Sequence, residues 1–330
     1  MHISLLDLLA CPVCATDAPL KSRDPENGSG VLSEGELVCS QCDRRFPVRN
    51  GIPRFVEQAE DYCGNFGFQW QKWKEVQIDR LNGHHLSEQR FYRDSRWDRD
   101  WMGNKLILDA GCGAGRFTDI AAATGARVIA IDLSNAIDAC QQNTRIHGEN
   151  VQCIQGSLLA LPFKKNIFDG IYCMGVIQHT PDPAAVMTGL PPLLRAGGRI
   201  VYNFYEEGWW RRLQIIKYLL RLITPYLPIS VTLGLSKALV GSLFWLTSLL
   251  APIPKIRVLN HFMPIAAVHD PALTRAQQYV WTLLDTFDWY GARYEKRQHH
   301  QHVADLMRSV KLDGVRSDTG LAWGTRPDRK

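Results

Sequence analysis

The stretch Leu106-Ile-Leu-Asp-Ala-Gly-Cys-Gly-Ala-Gly-Arg-Phe117 joins an apolar run to three closely spaced glycines. The run Lys105–Leu108 predicts a buried parallel strand, and Phe117–Ala123 predicts the helix that follows it. The glycines between them allow a sharp backbone turn and a close approach to a ligand. Dinucleotide-binding loops have the spacing G-x-G-x-x-G, whereas here the third glycine comes one residue early and Arg116 takes its place.

A second predicted strand, Ala126–Ile131, ends at an acid, Asp132. A carboxylate there can accept hydrogen bonds from both hydroxyls of a ribose. The loop and this acid together predict a pocket for a nucleoside that need not carry a diphosphate, and S-adenosylmethionine fits that description.

Four ordered blocks resemble the class I S-adenosylmethionine-dependent methyltransferases: LDAGCGAGRF (108–117), VIAIDLS (128–134), LPFKKNIFDGIYCMGVIQHTPDP (161–183) and GGRIVYNFY (197–205). The resemblance implies an α/β fold with a Rossmann-like doubly wound sheet in residues 105–330. An unrelated nucleotide-binding α/β domain is the alternative. The cofactor contacts expected on this basis are Asp109, Gly111, Cys112, Gly113, Gly115, Asp132, Leu133, Ser157, Leu158 and Met174.

Three of these positions have more specific expected roles. Asp109 is expected to order the glycine loop or hold the cofactor's amino group. Many relatives carry an acid at the position of Ser157, where it accepts a hydrogen bond from the adenine amino group. A serine can still accept one hydrogen bond, but it departs from the family pattern. His179 is the candidate catalytic residue, because a neutral imidazole can take a proton from an acceptor. Alternatively, it only caps the loop before Pro181.

Two CxxC pairs lie near the amino terminus, Cys11/Cys14 and Cys39/Cys42. Four thiolates in two facing knuckles suit a structural Zn²⁺ ion. A redox pair would need a thioredoxin-like context, which is missing. The block through Phe46-Pro-Val-Arg-Asn-Gly-Ile-Pro53 resembles the Trm112-like zinc ribbon, which implies a small β-rich domain in residues 1–58 with a stabilising or docking role. A turn-rich insert follows the first pair at Pro25–Gly30.

Residues 59–104 are rich in aromatic side chains and predict a helical bridge. These aromatic side chains recur at helical spacing in places, which usually indicates packing. In similar methyltransferases such helices cover the cofactor. The alternative function is therefore a lid, with Phe66, Gln69 and Trp70 near the methionine end of the cofactor.

A helical insertion is predicted at about 208–258, within a segment that has no Asp or Glu between Glu207 and Asp270. Trp209–Ile223 predicts an amphipathic helix and Ser236–Ala251 a more apolar one, too short to span a bilayer comfortably. Cations and tryptophans suit an anionic membrane surface contacted through 209–254. A cap over the active site or a homodimer contact is the alternative. The segment's cations and tryptophans are Arg211, Arg212, Lys217, Arg221, Lys237, Lys255, Arg257, Trp209, Trp210 and Trp245.

Ala272–Leu284 predicts a further helix, followed by a segment that resembles a substrate-side element of related bacterial methyltransferases. Asp288, Tyr290 and Tyr294 could hold polar substrate groups there, or the segment is a surface loop. The histidines 299, 300 and 302 resemble a metal cluster, but a single tract without an acid partner is usually solvated. Asp305–Val310 predicts the last helix and Gly314–Gly324 the closing strands.

The sequence therefore predicts a methyltransferase that uses S-adenosylmethionine, holds structural zinc and modifies a small or lipid-linked acceptor. A methyltransferase of RNA or a translation protein, and a non-enzymatic zinc-ribbon scaffold, are the alternatives. The net charge of +5 over 330 residues disfavours nucleic acid as a partner. An odd cysteine count and no recognisable signal peptide predict a cytoplasmic protein, peripheral at the inner face of the membrane if the insertion binds lipid.

Overall fold

The computed structural model of the chain describes residues 1–14, 17–23, 30–56, 61–209 and 213–328. Most of the turn-rich insert, residues 25–29, lies outside these ranges. So do Trp210, Arg211 and Arg212, which the sequence places in the first helix of the insertion.

A seven-stranded sheet forms the larger part of the fold. Its strand order is β10-β11-β9-β8-β5-β6-β7. The five strands from β9 to β7 in this order run parallel, and β11 pairs antiparallel with both β9 and β10. The strands are β5 (Leu106–Ala110), β6 (Arg127–Asp132), β7 (Val151–Gln155), β8 (Phe168–Met174), β9 (Leu194–Asn203), β10 (Asp313–Asp318) and β11 (Leu321–Thr325).

Alternate residues of the central strands pack against opposite layers, as the pleat of a strand requires. Leu108 and Ile171 lie on one face, in a core that also contains Val186 and Val303 of flanking helices. Ile107 lies on the other face, in a core with aromatic residues that precede the sheet. With both faces covered, the sheet has the doubly wound arrangement, and the predicted fold class is confirmed.

The helices that accompany the sheet lie before, between and after its strands. Their bounds are α1 (Gly64–Lys72), α2 (Asp79–Asn82), α3 (Leu86–Ser95), α4 (Arg99–Met102), α5 (Arg116–Ala122), α6 (Ala136–Thr144), α7 (Pro183–Gly189), α8 (Ile215–Arg221), α9 (Ile229–Leu250), α10 (Arg275–Gly291) and α11 (His300–Ser309). The bridge is helical, as expected, and contains α1 to α4.

The amino-terminal residues form a separate four-stranded antiparallel sheet in the order β1-β2-β3-β4. Its strands are β1 (Leu20–Ser22), β2 (Gly35–Cys39), β3 (Arg45–Arg49) and β4 (Ile52–Pro53). We call this part the ribbon. Leu5, Leu9 and Leu37 of the ribbon are fully buried and share one apolar core with the first face of the large sheet.

The ribbon also contacts the edge of the large sheet through its backbone. Arg54, just after β4, forms a parallel bridge with Gln155 of β7, and the Phe55 N–H donates to the Gln155 carbonyl at 2.7 Å. The Arg54 guanidinium donates to the Asp138 carboxylate of α6 at 2.7 Å. The ribbon is therefore joined to the large sheet by packing, backbone pairing and a partly buried ion pair.

The insertion differs from its predicted helices. Helix α8 is short, and α9 begins seven residues earlier than Ser236, at Ile229. With 22 residues, α9 is about 33 Å long, so the expectation that this segment is too short to span a bilayer was wrong. Among the described residues, α9 is the one helix that is long and apolar enough to cross a membrane by length and composition.

The segment after the insertion also differs from prediction. Helix α10 continues through Gly291, so Asp288 and Tyr290 are helical rather than part of a surface loop. Thr274 caps the start of α10 by a reciprocal capping box with Gln277. Helix α11 begins at His300, five residues before the predicted Asp305.

Candidate functional site

The glycine loop between β5 and α5 has the left-handed backbone that its sequence indicates. Gly111, Gly113 and Gly115 have φ angles of 89°, 53° and 87°. A Cβ atom on Gly111 would lie 2.4 Å from Val176 Cγ2, and one on Gly113 would lie 3.2 Å from Trp70 Nε1. Both backbone conformation and space therefore require glycine at Gly111.

Asp132 ends β6 beside this loop. Its Oδ2 accepts from the Gly113 N–H at 2.9 Å, and its Oδ1 accepts from the Ser134 N–H and hydroxyl at 2.8 and 2.7 Å. Burial raises the pKa of the carboxyl, while these hydrogen bonds oppose the shift. Oδ1 already accepts two hydrogen bonds, whereas Oδ2 accepts one and can take a further bond from a ligand hydroxyl.

A cavity of about 800 Å³ lies at the carboxyl ends of β5, β6 and β8. This is where ligands bind in open α/β sheets, and the volume suits a cofactor together with an acceptor. The structure places nine of the predicted site residues in its wall: Gly111, Cys112, Gly113, Asp132, Leu133, Leu158, Met174, His179 and Asp288. Five others, Asp109, Gly115, Ser157, Tyr290 and Tyr294, do not line it.

Asp109 and Ser157 make internal contacts instead. The Thr118 hydroxyl of α5 donates to Asp109 Oδ2 at 2.6 Å, so this acid orders the start of the helix. Burial raises the pKa of Asp109 to about 8. The Ser157 hydroxyl oxygen accepts from the Leu159 N–H at 3.2 Å and thus forms a local turn rather than a wall of the cavity.

The two tyrosines predicted as substrate contacts also lie away from the cavity wall. Tyr290 is fully buried, and its hydroxyl donates to the Pro264 carbonyl at 2.8 Å. Tyr294 packs against Tyr62 with ring centroids 5.6 Å apart. Of the three predicted substrate residues, only Asp288 faces the cavity.

His179 lies in a 3-10 turn after β8, and one of its ring nitrogens is hydrogen-bonded. Its Nδ1 lies 3.0 Å from the Tyr294 carbonyl. Because a carbonyl only accepts, Nδ1 carries the proton, and Nε2 of the neutral ring is left as an acceptor. The ring packs between Phe66 and Tyr205, with centroid distances of 5.0 and 5.5 Å. Packing and one hydrogen bond thus fix its orientation.

The predicted lid residues Phe66, Gln69 and Trp70 all line the cavity from α1. The indole edge of Trp70 lies against Gly113. Gln69 is buried and lines the same cavity as Asp288 of α10. Helix α1 therefore covers the glycine loop and connects it to the acceptor side of the cavity.

Five charged residues in the cavity wall were missed by the sequence analysis: Arg90, Arg93, Arg116, Asp270 and Asp285. Burial, and then the neighbouring Asp288, raise the pKa of Asp285 to about 7. Burial, and then Arg90, lower the pKa of Arg116 to about 9. The available signals were Arg116 in place of a glycine and the three-residue spacing of Asp285 and Asp288, which puts both on one helix face.

The four ribbon cysteines converge on one point. Cys11 Sγ lies 3.8 Å from Cys42 Sγ, and Cys14 Sγ lies 3.7 Å from Cys39 Sγ. All four sulfur atoms lie within 4.8 Å of one another. A tetrahedron with Zn–S bonds of about 2.3 Å has sulfur atoms roughly 3.8 Å apart, so the thiols fit zinc without rearrangement.

A second group, Glu206, His299 and His300, supplies the acid that the sequence did not place beside the histidines. Glu206 Oε1 accepts from the His300 backbone N–H and lies 3.0 Å from its Nδ1, while Oε2 accepts from the Gly320 N–H. The expectation of a tract without an acid partner was wrong. These bonds fix the start of α11.

Comparison with known proteins identifies two parts of the chain. Residues 108–202 match the family model of a methyltransferase domain, and residues 2–51 match that of Trm112p-like protein. A ubiquinone biosynthesis O-methyltransferase of Xylella fastidiosa is 36% identical over 107 residues, which are 30% of this chain and 41% of the relative. The corresponding protein of Nitrosomonas europaea is 30% identical over 127 residues, 37% and 54% of the two chains. The chain spans about half the length of these curated relatives.

Solved structures of methyltransferases are also similar. Geranyl diphosphate C-methyltransferase of Streptomyces coelicolor, solved with S-adenosyl-L-homocysteine, is 25% identical with a TM-score of 0.29 over 30% of this chain and 37% of its own. Magnesium protoporphyrin IX methyltransferase of Synechocystis is 16% identical with a TM-score of 0.44 over 81% and 97%.

Proposed function

We infer that this chain, which joins a class I methyltransferase domain to a Trm112-like domain, is an S-adenosylmethionine-dependent methyltransferase acting on a small or lipid-linked acceptor. One observation carries the proposal. The Asp132 carboxylate is held against the Gly113 N–H, beside a loop of left-handed glycines, in the wall of a cavity large enough for two ligands. The methyltransferase-domain match covers the same residues.

The residues present fit the cofactor. We assign Asp132 to the ribose hydroxyls, Leu133 and Leu158 to the adenine faces, and the glycine loop to the methionine portion. When bound, S-adenosylmethionine supplies a sulfonium methyl group that is open to in-line displacement. Positioning accounts for much of the catalysis of such a transfer, since the leaving group is good. Met174 and Trp70 exclude water from this region of the cavity.

We propose that His179 accepts a proton from the acceptor. Its Nδ1 proton is held by the Tyr294 carbonyl, so Nε2 is the nitrogen available for that role. Asp288 and Asp285 face the same cavity and would bind polar groups of the acceptor. The named activities of the relatives favour an oxygen as the methylated atom.

Zinc in the ribbon is proposed to be structural. All four thiols are needed for one tetrahedron, which leaves no open position for a substrate. The ribbon then stabilises the large sheet through the contacts of Arg54 and Phe55 with β7 and α6.

The cofactor proposal is tested by calorimetry with S-adenosylmethionine. Asp132→Ala is expected to weaken binding about 5- to 150-fold, because lost and unpaired hydrogen bonds cost about 1–3 kcal/mol. Asp100→Ala, which removes an exposed carboxylate of α4, is the matched control and should bind normally. Absence of binding by the wild-type protein at millimolar cofactor would favour the scaffold alternative.

The acceptor class is tested with tritiated cofactor and a lysate separated into lipid, small-molecule, protein and nucleic-acid fractions. Label in the lipid or small-molecule fraction supports the proposal. Label in RNA or in a protein would replace it with the translation alternative. Loss of labelling in His179→Ala, with cofactor affinity retained, is the result expected of a residue that acts on the acceptor.

A further inference from the structure

We propose that the outward face of the insertion binds the surface of an anionic lipid bilayer, and that the acceptor enters the cavity from that side. We call this surface the apolar face and define it by Ile215, Leu219, Leu222 and Ile223 of the α8 segment and by Trp245 and Leu249 of α9. The proposal rests on the proposed function only for its purpose, which is to bring a lipid-linked acceptor to the methyltransferase site.

In helix α8 the usual distribution of side chains on a surface helix is reversed, with a charged residue facing inward and apolar residues facing outward. Its inward residue is Lys217, whose side chain is 2% exposed and whose Nζ lies 3.1 Å from Glu295 Oε2. Its outward residues are aliphatic, with Leu219 59% and Leu222 71% exposed. A soluble helix has the opposite pattern, apolar inside and charged outside.

Helix α9 has this pattern in part, because three of its five buried residues are polar and the other two are Val240 and Phe244. Thr232, Ser236 and Thr247 are fully buried, and their hydroxyls donate to carbonyls of the insertion itself. Trp245 and Leu249 point outward and are 56% and 61% exposed. The buried polar side chains named here are thus paired inside, and large apolar side chains are left on the outside.

The exposed apolar side chains are concentrated in this one segment. Of the 21 large hydrophobic residues that are exposed in the described part of the chain, 16 lie between positions 209 and 262. Scattered exposed hydrophobic residues are normal on a monomer, but so many of them in one segment indicate an interaction site.

Charge favours lipid over a second copy of the chain. The exposed charged residues of α9 and the turns after it, Lys237, Lys255 and Arg257, are all positive, and no acid occurs between Glu207 and Asp270. A two-fold symmetric contact would bring these like charges together with no anions to pair them. An anionic leaflet pairs with all of them, and tryptophan is suited to its interface.

The apolar face adjoins the cavity. Gln214, directly before the exposed Ile215, lines the cavity, and its side-chain amide donates to the carbonyl of His261, another lining residue. Ile265 and Ala266 extend the same wall with apolar side chains. The insertion therefore has lipid-facing residues on one side and acceptor-side residues on the other.

The experiment is flotation of the full-length zinc-loaded protein with vesicles of phosphatidylcholine and phosphatidylglycerol at 3:1. The wild type should float, with several-fold weaker binding to pure phosphatidylcholine. Combined Leu219→Ser, Leu222→Ser and Trp245→Ser should reduce the bound-to-free ratio at least tenfold. Leu81→Ser with Ile146→Ser, which alters exposed residues outside the apolar face, should change it less than twofold.

Three outcomes would overturn the proposal: no flotation of the wild type, equal flotation of the triple variant, or resistance to an alkaline carbonate wash, which indicates a spanning helix. A wild-type dimer that the triple variant dissociates, without vesicle binding, would assign the face to a second copy. Calorimetry with S-adenosylmethionine in the absence of vesicles separates the two proposals, because normal binding there leaves the proposed function intact.

Discussion

Asp109 and Asp132 end neighbouring strands, yet their surroundings give them different chemistry. Asp132 accepts backbone and hydroxyl hydrogen bonds at the cavity wall, whereas Asp109 is buried with a single hydroxyl donor, Thr118. A carboxyl with few donors in an apolar site is more stable protonated. The first acid is therefore suited to hold a ligand and the second to act as a neutral structural group.

This difference predicts a pH dependence of stability. Burial raises the folded-state pKa of Asp109 to about 8. As pH rises from about 4, an unfolded Asp loses its proton while the folded one retains it, so stability is lost until the folded group ionises near pH 8. At about 1.4 kcal/mol per pKa unit, the loss is at most about 6 kcal/mol.

Asp109→Asn should flatten this decline, since Thr118 can still donate to the amide oxygen. Urea unfolding at pH 5 and pH 8.5 measures it, with the exposed Asp100→Asn as control. An equal decline in wild type and Asp109→Asn would contradict the assignment.

Residues at the glycine loop could be predicted because each has a steric or hydrogen-bonding requirement that is local in sequence. The proximity of Arg116 to Asp285 could not, since the two residues are about 170 positions apart and come together only in the tertiary fold. Tyr290 was misplaced for a related reason. The sequence gives no sign of which side of α10 faces the cavity and which faces Pro264.

At the scale of elements, Glu295 anchors the insertion to the rest of the fold. Its carboxylate contacts Lys217 and Arg221 of α8 and Arg297. Burial would raise its pKa, but these three cations outweigh it and hold the pKa at about 2. The inverted arrangement of α8 therefore depends on one buried acid supplied by a distant segment.

Glu295→Gln should destabilise the protein by about 3–5 kcal/mol, because it leaves buried cations without a counter-charge. Adding Lys217→Met should recover part of this loss. Asp305→Asn, which breaks an exposed pair with Arg308, should cost about 1 kcal/mol or less. Chemical unfolding of the four proteins makes the comparison, and a neutral Glu295→Gln would count against the anchoring role.

Among the best-predicted elements were strands β5 and β6, because each is mainly an apolar run with a clear end. The start of α9 was missed since β-branched residues and a glycine fill its first turns, where intrinsic helix propensity is low. Packing of Thr232 and Ser236 against the fold overrides that propensity. Tertiary contacts of this kind are not visible in a local pattern.

At the scale of the whole molecule, zinc in the ribbon should stabilise more than the ribbon itself, because both domains share one core. Chelation, or Cys39→Ser, should release one zinc per chain and lower the melting temperature by several degrees. Affinity for S-adenosylmethionine of the remaining folded protein should change less than threefold, since no thiolate ligand lines the cavity.

Metal analysis, thermal melts and calorimetry test this, with Cys63→Ser as the control that should retain zinc. Full zinc content in Cys39→Ser would exclude the four-thiolate site. The two-part organisation itself could be predicted from the cysteine spacing and the glycine loop. How the ribbon is seated could not, because the pairing of Arg54 with Gln155 joins residues about a hundred positions apart.

That seating has a consequence for solubility. The outer strand β7 of the large sheet has its edge partly paired by the ribbon, while the opposite outer strand β10 carries Asp313, Arg316 and Asp318. Charged side chains discourage strand-to-strand association between molecules, and a covered edge prevents it. Loss of zinc would remove the ribbon from the edge of β7 and leave that edge exposed. The protein without zinc should therefore precipitate from concentrated solution before its large sheet unfolds.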